Sequence, residues 1–108
     1  MKLKLTPNIT FETLEQKLPS MLSQYEVSKK KNPLAKFEYI EVKKSATAGV
    51  WVRIFEKKNQ VTLIKCMPSA FARGMLGLIF YLIAAPAQGK VEKETAAAIM
   101  QAFGTEKL

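Results

Sequence analysis

The chain has 108 residues, 48% of them hydrophobic, and a net charge of +8 from fifteen lysines and two arginines set against nine glutamates. That length suits a single domain with one modest core. With no histidine, no aspartate and one cysteine, the chain lacks the usual general base near neutral pH and the ligand set of a conventional zinc site. No catalytic constellation is legible, so we read the chain as a non-enzymatic protein with no cofactor and no metal.

Lys2 to Thr6 (KLKLT) alternates lysine and leucine, which predicts a short strand with Leu3 and Leu5 inward. The opening stretch, MKLKLTPNIT, has no apolar core of the length a secretory signal needs. Pro7-Asn8 breaks the strand, and Thr10 is placed to cap a helix. Phe11, Leu14, Leu18, Leu22 and Tyr25 then recur at helical spacing, with Glu12, Glu15, Gln16 and Lys17 outward. Pro19 falls inside this pattern, so either the helix kinks there or a second short helix begins.

Tyr25 to Lys31 reads as a strand, and Asn32-Pro33 as a turn. Phe37 to Val42 is the next strand, and Ser45 to Ala48 a loop. Gly49 to Phe55 (GVWVRIF) carries the strongest strand signal, being rich in β-branched and aromatic residues. A hairpin turn at Lys57-Lys58-Asn59 leads to a strand over Val61 to Met67, which Pro68 ends. Cys66 sits in the apolar pattern VTLIKCM and reads as a small buried hydrophobe of a reducing, cytoplasmic compartment.

Ser69 is placed to cap a helix from Ala70 to about Ala85, stopped by Pro86. Gly89 then separates it from a last helix, Lys90 to Phe103, with Val91, Thr95, Ala98, Ile99 and Ala102 on one face and Gly104 as its stop. The expected fold is α+β, in the order β-α-β-β-β-β-α-α. An antiparallel meander is packed by an N-terminal amphipathic helix and a C-terminal helical pair, all in one small domain spanning 1–108.

Two features bear on function. The run Gly74 to Ala87 (GMLGLIFYLIAAPA) holds no charge, so a helix there is apolar all round and needs cover on every side. At about 21 Å it is too short for a hydrocarbon layer of about 30 Å. In the meander, moreover, neither face alternates cleanly between apolar and polar, so both faces ask for cover. This surplus points to a protein partner or homo-oligomer, with Trp51, Phe55, Gly74, Gly77, Phe80 and Tyr81 as candidate interface residues.

The lysines supply the alternatives. If the strands pair as consecutive hairpins, Lys30, Lys31, Lys36, Lys57 and Lys58 gather at one end of the sheet, and Arg73 is the lone charge beside the apolar run. Those six are candidate contacts for an anion or phosphate. The leading expectation is a self-associating interaction module. The second is a peripheral protein of anionic membrane surfaces, using the apolar helix 74–85 and the lysine-rich edge. The third is nucleic-acid binding through a basic, aromatic sheet face carrying Tyr39, Trp51, Arg53 and Phe55.

Overall fold

The computed structural model describes residues 1–31, 37–45, 48–66 and 70–108, with side chains for all of these except 70–85. In chain order the elements are β1 (Lys2–Lys4), α1 (Phe11–Met21), β2 (Glu26–Lys31), β3 (Glu38–Lys43), β4 (Gly49–Phe55), a 3-10 turn (Glu56–Lys58), β5 (Gln60–Cys66) and α2 (Ala70–Phe103). The fold is α+β. One five-stranded sheet has the order β1-β5-β4-β3-β2, and every neighbouring pair is antiparallel.

The turn between β4 and β5 uses Asn59 at φ 54°, a left-handed conformation that asparagine tolerates better than most residues. Its N–H donates to the Glu56 carbonyl at 3.1 Å. At the start of α1, Thr10 caps as expected. Its hydroxyl accepts from the Thr13 N–H at 3.2 Å, and the Thr13 hydroxyl accepts from the Thr10 N–H at 2.9 Å. The helix then runs unbroken through Pro19 to Met21.

The predicted C-terminal helical pair is a single helix. α2 continues through Pro86 and Gly89 without a break. The reason lies in the phase of its buried stripe. Gln88, Val91, Thr95 and Ile99 are all fully buried, so the 3.6-residue repeat of the last segment extends back past Gly89 in step. Gln88 Nε2 also donates to the Cys66 carbonyl at 3.2 Å, which ties this turn to the end of β5. Pro86 is exposed to solvent. An interior proline costs about 3 kcal/mol, and burial along this stripe offsets it. The helix ends at Gly104, whose φ of 67° suits glycine.

Helix α1 and residues 88–103 of α2 serve one face of the sheet. Leu14 and Leu18 of α1 and Val91 and Ile99 of α2 join a single core cluster with Leu3, Ile40, Val42, Val50, Val52, Val61 and Leu63. The chain end shields the β1 edge: Lys4 N–H donates to Glu106 and Leu108 N–H to Lys2, at 2.8 and 2.9 Å. The opposite edge, β2, carries Lys29, Lys30 and Lys31, which discourage pairing with another strand. Cys66, the sole cysteine of the chain, is buried. Met67, Pro68, Ser69, Asn32, Pro33 and Lys36, assigned above to a strand end, a cap, a turn and the lysine cluster, lie outside the described residues.

A polar clasp holds α2 to the segment before β2. The Tyr25 hydroxyl and Gln24 Nε2 both donate to Glu94 Oε2, the latter at 3.0 Å. Burial, and then the Glu94 carboxylate that accepts its proton, push the Tyr25 phenol up to about 12. The Tyr25 and Gln24 hydrogen bonds hold Glu94 below its usual range. A raised phenol stabilises the fold fully below its unfolded value near 10 and loses that contribution as pH rises toward about 12. A lowered carboxyl contributes above its ordinary range and loses the contribution in acid. Tyr25→Phe should therefore cost about 1 kcal/mol at pH 7. It should also flatten the stability loss between about pH 10 and pH 12 in denaturant melts. An unchanged alkaline limb would mean that the clasp does not hold α2.

Candidate binding face of the sheet

The register sorts the strand residues into two faces. Val50, Val52, Val61 and Leu63 point into the core. The intervening residues form an outer face that contributes nothing to that core. Three rows cross it. One row runs Ile64, Trp51, Glu41, Ser28 through successive pairings. The next runs Lys2, Thr62, Arg53 across β1, β5 and β4, and reaches Tyr39 and Lys30, which pair with each other on β3 and β2. The third holds Lys4, Gln60 and Phe55, with Phe37 alongside.

The aromatic groups of this face touch one another. Tyr39 and Trp51 have ring centroids 4.9 Å apart at 42°, and Phe37 and Tyr39 lie 5.8 Å apart at 50°. Tilted geometries at these distances are attractive. Arg53 lies against two phenyl rings, with its guanidinium carbon 3.7 Å from the Phe37 centroid and 4.4 Å from that of Phe55. Lys58 Nζ lies 5.8 Å over Phe55 from its other neighbourhood, the β4–β5 turn. Trp51 Nε1 donates to Glu41 Oε2 at 3.3 Å, which engages the one buried carboxylate of the face.

Phe37, Tyr39, Trp51, Arg53 and Phe55 are each half-buried, Lys2, Lys4 and Lys30 are exposed, and Ile64 is 40% exposed. Among the described residues no carboxylate pairs with Arg53, Lys2 or Lys30. A guanidinium that lies against aromatic rings still carries five N–H donors in a fork that matches a phosphate or carboxylate. The face thus offers an arginine, half-buried aromatic side chains in the rows on both sides of it, and lysines at both ends of its own row.

The residues proposed from sequence fall into three groups. Trp51 and Phe55 are both on this face. Lys30, Lys31, Lys57 and Lys58 do gather at one end of the sheet, since β2 ends where β4 turns into β5. Gly74, Gly77, Phe80, Tyr81 and Arg73 lie in α2, and their side chains are outside the described set. Arg53 and Tyr39 belong to the basic, aromatic face expected for the nucleic-acid reading, whereas Phe37, Lys2 and Lys4 were not among the expected site residues. Arg53 and Phe37 become neighbours through the β3–β4 register. The lysines of β1 join the face only because β1 sits beside β5, an adjacency no local pattern announces.

The lysine end is also less basic than the sequence suggests. A cleft of about 560 Å³ opens there on the helix side, lined by Glu12, Glu15, Glu38 and Glu56 over Leu5, Ile9, Phe11 and Ile54. Lys29, also lining it, pairs with Glu38 at 3.3 Å. Among the described residues no group of cysteine and glutamate side chains is placed to hold a metal ion, and no helix is long and apolar enough to cross a membrane.

No family model, no curated protein and no solved structure matches this chain. What the outer face can do therefore follows from its own chemistry.

Proposed function

We propose that this protein is a non-enzymatic binding module whose docking surface is the outer face of the sheet and whose partner is anionic. The observation that carries the reading is Arg53, set against the rings of Phe37 and Phe55 and in one cross-strand row with Lys2 and Lys30. Aromatic residues and arginine are the side chains that dominate binding energy at interfaces, the rings by burying much area with few rotatable bonds and arginine through its planar set of donors.

Charge decides against this face stacking on a copy of itself. Two packed sheets lie about 10 Å apart, which would trap two Arg53 groups and their lysine rows in one desolvated layer. Self-association through the charge-free run 74–85 is a second reading, supported by that run's composition alone. The membrane-surface reading is weakened by the four glutamates that share the lysine end.

Trp51 is the sole tryptophan and lies in the face, so its emission reports on occupancy. Titration with inorganic polyphosphate at low salt should quench or shift Trp51 emission, and high salt should abolish the change. Emission indifferent to polyphosphate at low salt would overturn the reading. Light scattering on the same samples separates the second reading, since a dimer held by apolar burial survives high salt.

A further inference from the structure

Resting on that reading, we infer that the anionic partner is single-stranded nucleic acid, bound with its phosphates along the Lys2–Arg53–Lys30 row and its bases on the aromatic side chains flanking that row.

The geometry separates a strand of nucleotides from other polyanions. The row crosses all five strands, so its ends are about 19 Å apart, four strand spacings of about 4.8 Å. This is a track rather than a pocket, and cations stand at its two ends and its middle. On one side lie Trp51 and Tyr39, on the other Phe55. Same-face neighbours along β4 are about 6.7 Å apart, room enough for separate bases rather than one compact anion. A base laid on an aromatic ring gains stacking energy that a carboxylate or a bare phosphate chain does not.

The same chemistry selects a single strand and low sequence preference. A duplex hides its base faces, so the rings of this face would gain nothing from it. Base edges are read chiefly by arginine, asparagine and glutamine. Here the single arginine of the row is assigned to phosphate, and Gln60 is 9% exposed with its amide on Thr62. Lysine is a point charge that holds phosphate without reading sequence.

The test is a Trp51 fluorescence titration with an oligothymidylate of about fifteen nucleotides, an abasic chain of equal length, and a duplex. Oligothymidylate should bind about tenfold or more tighter than the abasic chain, and the duplex should be the weaker ligand. With three phosphate contacts, affinity should fall roughly 20-fold between about 50 and 200 mM salt. The double variant Lys2→Glu/Lys30→Glu changes two exposed side chains on the two edge strands, outside the core. It should weaken oligothymidylate binding by more than about tenfold with an unaltered thermal midpoint.

Equal affinity for oligothymidylate and the abasic chain would overturn the nucleic-acid inference and leave a polyanion face. Binding that the double variant leaves intact would overturn the placement of the strand along this row. Silence toward both oligothymidylate and polyphosphate would remove the proposed docking surface itself.

Discussion

Ile99→Ala is expected to lower folding stability by about 3 kcal/mol, within the range of about 2–5 kcal/mol for truncating a buried isoleucine. Ile99 is fully buried and shares the core cluster with Leu14, Leu18, Val50 and Leu63. The helix that carries it meets β4, β5 and α1. Truncation removes transfer energy and leaves a cavity that surrounding β-branched residues, stiff at χ1, fill poorly. For a domain whose total stability is about 5–15 kcal/mol, such a loss is large. Urea melts should show a lower midpoint with an unchanged slope. A loss below about 1 kcal/mol would mean that α2 is not docked through this residue.

Thr95→Val should act in the opposite direction, raising stability by about 1 kcal/mol. Thr95 is fully buried one turn before Ile99, and among the described residues nothing accepts from or donates to its hydroxyl. Valine keeps the shape and removes a polar atom that gave up its water without a partner. Helix propensities of the two residues are similar, so backbone preference leaves the difference untouched. The thermal midpoint should rise by roughly 5 °C. A lower midpoint would show that the hydroxyl has a partner in solution. Because the two sites are one turn apart in the same packed layer, the double variant need not be additive.

These two residues also mark what was legible in advance. Spacing assigns Val91, Thr95, Ala98, Ile99 and Ala102 to one inward face; the first four are buried and Ala102 is partly buried against the core. The strands of the meander, the Thr10 cap and the turn at Asn59 were legible for the same reason, since each rests on residues within a few positions of one another. The misreading of α2 as two helices came from the same local logic applied to Pro86 and Gly89. Both are genuine helix-weakening residues. Their cost is set by single residues, while the burial that offsets it comes from Gln88, Val91 and Ile99 meeting a sheet built elsewhere in the chain.

The candidate site shows the same division. Trp51, Arg53 and Phe55 were placed on one face of β4 by simple alternation. Their company was not so readable. Phe37 reaches Arg53 through the β3–β4 register, and Lys2 and Lys4 reach the face because β1 pairs with β5 across more than fifty residues of chain. The lysine end was judged from its lysines alone, and folding placed Glu12, Glu15, Glu38 and Glu56 beside them.

By itself, then, the sequence determined the elements and their inward faces, because hydrophobic periodicity, capping and turn chemistry act over a few residues. It also set the strongly basic charge and the absence of histidine chemistry. Tertiary structure alone decided the strand order, the unity of α2 and the row that aligns Lys2, Arg53 and Lys30. Those depend on which distant segments bury each other's apolar faces, a choice made by the total area and packing of the core rather than by any stretch of the chain.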